Sequence, residues 1–139
     1  KKIFLLWTGR QRLASNVLID QKKNFKKNIL KLIQIRDLSY VFKKEIIKKN
    51  PNIKKIGKII DTSWKIKQNF SNLITNKHIN NLYEKTKKMG SYGGKLLGAG
   101  SGGYILIIAS EKNKNSIKKN FNKKSILEIA VDESGSVKL

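Results

Sequence analysis

The stretch of this sequence best suited to chemistry is Gly94-Lys95-Leu96-Leu97-Gly98-Ala99-Gly100-Ser101-Gly102-Gly103-Tyr104. Glycine at this density lets the backbone take positive φ and lets a ligand approach where no Cβ stands in the way. Successive N–H groups in such a turn can converge on an anion. A plain connection between two strands is the competing reading, although a hairpin needs only one or two such residues. Three well-known phosphate loops do not fit. The Walker pattern would need glycine where Met89 stands and a hydroxyl residue where Leu96 stands. Gly98, Gly100 and Gly103 satisfy the dinucleotide spacing, but that fingerprint opens a helix, and Tyr104-Ile105-Leu106-Ile107-Ile108-Ala109 reads as a buried strand. A protein-kinase glycine loop would need downstream HRD and DFG segments, and the sequence has neither.

The elements that must position this loop can be read along the chain. Ile3 to Trp7 is a continuous apolar run ended by Thr8-Gly9, hence a buried strand. Arg10 to about Asn24 reads as a helix with Leu13, Ala14, Val17 and Leu18 on one face. Ile35, Leu38, Phe42 and Ile46 mark a second helix over 29–49, broken by Asn50-Pro51-Asn52. Ile53, Ile56, Ile60 and Trp64 mark a third that fades near Ser71, with Gly57 inside it at some cost in stability. Thr75-Asn76 begins a fourth through Ile79, Leu82, Tyr83 and Met89, and Gly90 ends it. Lys95–Leu97 and Tyr104–Ala109 are strands on either side of the loop. A short helix with Ile117 and Phe121 follows, then a strand over Ile126–Val131 and a turn over Asp132–Gly135. This order gives the α+β class: a ferredoxin-like split β-α-β-β-α-β sheet with extra helices, in a single domain over 1–139.

Composition limits the function classes. The chain carries 31 basic and 9 acidic side chains, a net charge of +22. Such a balance points first to nucleic acid or an anionic membrane surface. Yet only Arg10, Arg12 and Arg36 are arginine, the residue suited to bidentate phosphate recognition, and the lysines are spread among Asn and Ile as A/T-rich codons would spread them. No specific nucleic-acid partner is expected. No apolar run reaches membrane-spanning length, and Ile3–Trp7 is too short for a signal peptide. Absence of cysteine removes disulfides and thiolate metal sites, making a cytoplasmic location the default. The acidic residues are scattered, so no metal site is expected. His78, without a second histidine, is expected at the surface. A first residue other than methionine, opening directly into an apolar stretch, suggests a piece of something longer.

The pattern Gly-x-Lys-Leu-x-Gly-Ala-Gly-x-Gly-Gly ahead of a strand resembles the third conserved motif of the GHMP small-molecule kinases, with Ser101 where many members have glycine. Among these the likeness points to the kinases of D-glycero-D-manno-heptose 7-phosphate. Leu6-Trp7-Thr8-Gly9 through Arg12 and Ala14-Ser15, Trp64-Lys65-Ile66-Lys67 with Ser71, Ile74-Thr75-Asn76, and Ser134-Gly135-Ser136 resemble its flanking segments; Gln11 replaces a usual serine. The resemblance implies the C-terminal domain of a cytoplasmic sugar kinase that transfers the γ-phosphate of ATP to a sugar hydroxyl, with a sugar phosphate as acceptor. It also implies that ATP and Mg²⁺ are held by an N-terminal kinase domain outside this sequence. No catalytic residue is then expected in this chain, which should be inactive alone. The candidate phosphate or substrate loop is Gly98, Ala99, Gly100, Ser101, Gly102 and Gly103. Arg12 reads either as a surface residue of an amphipathic helix or as a contact for the substrate phosphate. Lys95 reads either as a solvated strand-end lysine or as a charge beside the loop. Two other classes stay open: a basic nucleic-acid module, whose aromatic strand motif is missing, and a small-molecule-binding domain without catalysis.

Overall fold

A computed structural model describes residues 2–11 and 14–130. Strand β1 (Ile3–Trp7) is followed by helices α1 (Ala14–Lys23), α2 (Ile29–Ile46), α3 (Ile53–Gln68) and α4 (Lys77–Lys88). Strands β2 (Gly93–Leu96) and β3 (Tyr104–Ile108) form a hairpin around the glycine loop, and α5 (Glu111–Asn120) leads to β4 (Ile126–Glu128). The sheet order is β2-β3-β1-β4 with every neighbouring pair antiparallel. Two β-α-β units therefore interleave, which is the α+β arrangement expected from the element order.

Strand alternation decides where the core lies. Phe4, Leu6, Leu96, Ile105 and Ile107 share one sheet face and are at most 1% exposed. They pack with Val17, Trp64, Ile74, Ile79, Tyr83 and Ile117 from the helices. On the opposite face Leu5, Trp7 and Leu106 are half-buried and Tyr104 is exposed. The Trp7 and Tyr104 rings lie 4.9 Å apart at the loop end of that face.

Side-chain caps start three of the helices, the one at Asn76 as expected. Asn52 and Asn76 accept from the backbone N–H groups of Lys55 and Ile79 at the starts of α3 and α4. Ser110 does the same for α5 by accepting from Asn113. Each such cap stabilises a helix by about 1 kcal/mol.

Three expectations need adjustment. In α1, Val17 is buried but Leu18 is 53% exposed and Ala14 is exposed, so the apolar face is narrower than the periodicity suggests; Leu13 lies outside the described residues. In α2, Ile35, Leu38 and Phe42 are only half-buried and Ile46 is exposed, because this helix covers one side of α3 and not the central core. The last strand stops at Glu128, and Val131 with the turn after it lies outside the described residues. His78 is exposed as expected, with its Nε2 2.8 Å from the Thr8 carbonyl oxygen. Among the described residues, no helix is long and apolar enough to cross a membrane.

The α2–α3 turn is held by one carboxylate. Glu45, with its side chain 2% exposed, pairs with Lys48 at 2.8 Å and Lys55 at 3.1 Å and accepts from the Asn52 N–H. The hydrogen bond from Lys48, then that from Asn52, outweigh burial and hold this carboxyl at about 2, against an ordinary 4.5. A carboxyl more acidic in the folded state contributes stability above its unfolded value, and that contribution disappears as pH falls through the folded one. Urea midpoints measured from pH 6 to pH 2 should therefore decline on acidification. Glu45→Gln should lower the midpoint at pH 6 and flatten its dependence on pH; an unchanged slope would remove Glu45 from the acid response.

Candidate functional site

Residues 97–103 connect β2 to β3 and are tied down on every side. The Leu97 N–H donates to the Tyr104 carbonyl at 2.9 Å and closes the hairpin. Thr8, just after β1, donates to the Gly103 carbonyl through its N–H at 3.0 Å and its hydroxyl at 2.7 Å. Gly103 in turn donates to the Arg10 carbonyl at 2.9 Å. Gln21 of α1 donates to the Ala99 carbonyl at 3.2 Å, and the Lys67 ammonium on α3 donates to the Gly98 carbonyl at 2.8 Å. Strand β1, α1 and α3 thus each grip a different loop carbonyl.

These contacts use the loop's acceptors and spare most of its donors. Among the described residues, nothing accepts from the N–H groups of Gly98, Ala99, Gly100 and Gly102. A cleft of about 520 Å³ runs along this segment, lined by Gln11, Ala14, Leu97, Gly98, Ala99, Gly100, Gly102 and Gly103. Among the described residues, no carboxylate lines it. Several N–H donors on a fixed loop, without a negative side chain near them, form an environment that favours an anion.

Backbone conformation explains the residue types. Gly98 has φ +73° and Gly100 has φ +134°. Ser101 also takes a positive φ, +65°. That conformation costs a non-glycine residue about 1–2 kcal/mol. Here it is offset by the Ser101 N–H donating to the Ile74 carbonyl at 2.7 Å and by the hydroxyl donating to the Leu73 carbonyl. Serine therefore does more than narrow the backbone freedom at this position: it fastens the loop to the segment before α4. Its N–H is consequently engaged and is not one of the donors left over for a ligand.

Gly100 itself has no room for a side chain. A Cβ at Gly100 would lie 2.6 Å from the Ile74 oxygen and 2.7 Å from its Cα, inside van der Waals contact with a main chain that cannot step aside. Substitution there would damage the fold as well as the cleft. At Gly98 a Cβ would meet nothing within 4 Å.

The other expected site residues separate. Arg12 lies outside the described residues. Lys95 is half-buried on β2, but it lines a neighbouring groove of about 340 Å³ between α2, α3 and the sheet rather than the glycine cleft. Lys67, Gln21 and Thr8 were missed as loop partners. Side chains that reach the loop from α3, α1 and the end of β1 leave no local sequence signal; only the folded arrangement brings them together. Among the described residues, no cluster of three or more His, Cys, Asp or Glu side chains could hold a metal ion.

At the start of β2, Asp61 and Tyr83 join α3, α4 and the strand. The Tyr83 hydroxyl donates to the Asp61 carboxylate and lies 3.2 Å from the Gly94 oxygen. Lys65 and Lys87 approach Asp61 at 3.1 and 3.5 Å. Burial alone would raise the Asp61 carboxyl, but the Tyr83 hydroxyl and the two lysines hold it below the usual carboxylate range. Burial, then the Asp61 charge, push the Tyr83 hydroxyl far up, so it stays a donor.

Comparison with known proteins places this geometry. The mevalonate kinase of L. major in complex with R-mevalonate superposes with a TM-score of 0.73 at 14% identity, over 94% of this chain and 43% of that one. Lactococcus lactis galactokinase complexed with galactose gives 0.64 at 15% identity, over 85% of this chain and 39% of that one. At those identities the likeness is one of fold. A bifunctional fucokinase/GDP-fucose pyrophosphorylase of Arabidopsis thaliana is 28% identical over 117 residues, covering 82% of this chain and 11% of that protein. The chain thus spans less than half the length of each of these relatives. Residues 25–126 match the family described as GHMP kinases C terminal, and the chain belongs to that family.

Proposed function

We propose that this chain is the substrate-facing C-terminal domain of a cytoplasmic, ATP-dependent sugar kinase, and that its acceptor is a heptose 7-phosphate. The observation that carries the reading is the glycine loop: a rigid turn whose carbonyls are held from behind while the N–H groups of Gly98, Ala99, Gly100 and Gly102 donate to no described residue. Membership of the family supports phosphoryl transfer as the reaction, and the fucokinase relative, a sugar kinase by name, favours a sugar over a carboxylic acid as acceptor. The heptose assignment rests on the sequence resemblance of the flanking segments, Leu6 to Arg12 with Ala14-Ser15, Trp64 to Lys67 with Ser71, Ile74-Thr75-Asn76 and Ser134-Gly135-Ser136.

In this reading the loop receives negative charge as the γ-phosphate moves to the sugar hydroxyl. Preset N–H donors cost no reorganisation at that moment, and their stabilisation grows where water is excluded. Gly98, Ala99, Gly100 and Gly102 supply the donors, Ser101 and Gly103 fix the turn, and Arg12 is a candidate contact for the phosphate already on the sugar. ATP and Mg²⁺ are assigned to an N-terminal kinase domain, because the described residues here offer no carboxylate cluster for a metal. A specific nucleic-acid partner and a membrane play no part in this assignment.

ADP release from ATP, measured with this chain joined to its ATP-binding domain, tests the reading. D-glycero-D-manno-heptose 7-phosphate should be turned over in preference to galactose, fucose and mevalonate. Preference for an unphosphorylated sugar would remove the heptose phosphate assignment. Sequence-specific duplex binding at physiological salt, without ADP release on any acceptor, would replace the kinase reading by a nucleic-acid one.

A further inference from the structure

With 9 acidic and 31 basic side chains, most lysines lack a carboxylate, but buried ones tend to find one. Glu45 gathers Lys48 and Lys55, Asp61 gathers Lys65 and Lys87, and Glu128 gathers Lys114 and Lys118. Lys67 and Lys95 are both half-buried, yet neither pairs with a carboxylate among the described residues. Both lie where β2 runs into the loop: Lys67 reaches Gly98, and Lys95 shares a groove with Ser63, one helical turn before Lys67, and Leu97, the residue before Gly98. The Lys67 ammonium donates to the Gly98 carbonyl at 2.8 Å, which leaves it two further N–H directions. Lys95 is placed three residues before Gly98 on β2, on the wall of the groove between α2, α3 and the sheet, beside Ser63 and Leu97.

The helix geometry accounts for the meeting. Gly57 of α3 lies against Tyr92 and Gly93 at the start of β2. From Gly57 to Lys67 a helix rises about 15 Å, and from Gly93 to Gly98 an extended chain covers about 17 Å. Lys67 is therefore delivered to the loop by the same packing that seats α3 on the strand. Burial, then the charge of Lys95, pull the Lys67 ammonium below the ordinary lysine range, so the two charges act on one another.

We propose that Lys67 and Lys95 form a phosphate subsite at the Gly98 edge of the loop, and that it holds the phosphate already carried by the acceptor sugar. This rests on the kinase reading for the identity of the ligand, while the subsite itself rests on the two lysines. An anion between them, on the groove side of Gly98, relieves their mutual repulsion and takes up the free N–H directions of Lys67. Lys67 then has two jobs, fixing the loop and binding the substrate, and a phosphorylated acceptor is distinguished from a neutral sugar by this pair.

Amide NMR titrations of the ¹⁵N-labelled chain at physiological ionic strength test it without any need for turnover. Inorganic phosphate and mannose 6-phosphate should shift the Gly98, Ala99 and Gly100 amides saturably, and mannose should not. Lys95→Met, which removes a charge that touches no loop atom by hydrogen bond, and Lys67→Met should each weaken binding about tenfold or more. Lys67→Arg should weaken it less than Lys67→Met, which separates loss of charge from loosening of the loop. Lys123→Met/Lys124→Met, at an exposed turn before β4, should leave it unchanged. Linear shifts without saturation, or equal losses in the Lys123/Lys124 variant, would show attraction by net charge alone and overturn the subsite. ATP saturating the same amides more tightly than mannose 6-phosphate would overturn the acceptor assignment. A failed ADP-release assay alongside intact phosphate binding would instead count against the kinase reading and spare the subsite.

Discussion

Gly98→Ala, introduced with the ATP-binding domain present, is expected to cut kcat/KM by about 100-fold or more, the usual cost of losing an aligned donor to a developing oxyanion. The same change should lower stability by only about 1–2 kcal/mol, the cost of holding alanine at a positive φ. A Cβ at Gly98 meets nothing within 4 Å, so the folded chain can accept it. The space it enters, however, is the cleft that the loop amides line. Any relaxation of φ from +73° also turns the neighbouring N–H groups and disturbs the Gly98 carbonyl held by Lys67. Gly100→Val supplies the contrast. Its Cβ would press on the Ile74 backbone at 2.6–2.7 Å, so melting temperature and turnover should fall together. Circular-dichroism melts and initial rates on both variants check this. Normal turnover by Gly98→Ala with a lowered melting temperature would make the loop a hairpin connection and nothing more.

How much of this was legible in the sequence depends on whether a feature is local. The cap at Asn76, the break at Asn50-Pro51-Asn52 and the strand runs at Ile3–Trp7 and Tyr104–Ile108 are local, and their positions hold to within a few residues. The glycine loop is local too, and its strand-to-strand placement follows from the apolar run after Gly103. What the sequence concealed is nonlocal. Residues 78 positions apart meet when Gln21 holds Ala99, and residues 95 apart meet when Thr8 holds Gly103. Lys67 belongs to the Trp64–Lys67 segment that carries the resemblance, but only the seating of α3 on β2 brings it to the loop. Periodicity also overstated burial on α2, since a stripe at helical spacing shows that a face is apolar but not how completely a neighbour covers it. Ser101 is an intermediate case: its departure from glycine was visible, but the hydrogen bonds that make serine suitable come from Leu73 and Ile74.

Gly57 is where local and nonlocal reasoning give opposite signs. Replacing an exposed mid-helix glycine by alanine ordinarily stabilises a helix by up to about 1 kcal/mol. Here an added Cβ would lie 2.6 Å from the Tyr92 Cβ and 3.1 Å from its carbonyl carbon, so Gly57→Ala should destabilise the chain instead. Gly93 faces it across the same contact, and the conflict there is sharper. A Cβ at Gly93 would sit 2.0 Å from the Gly57 oxygen and 2.8 Å from the Asp61 Cβ. Two backbones meet at this point, and neither has a flexible side chain to move aside. Accommodation would require α3 to withdraw by about 1 Å or more, since close-packed interiors have no spare volume. That movement would draw Asp61 away from the Tyr83 hydroxyl and shift Trp64, 2% exposed in the core. Overpacking alone typically costs about 1–3 kcal/mol, and losing the Tyr83 hydrogen bond to the Asp61 carboxylate adds about 1.5–3 kcal/mol. Gly93→Ala should thus remove a large share of a stability that is about 5–15 kcal/mol for most domains. Urea unfolding of the two variants measures both effects, with Gly93→Ala expected to lose more than Gly57→Ala. A Gly57→Ala chain more stable than the parent would mean that α3 does not rest on β2 as described, and the route by which Lys67 reaches the loop would fall with it.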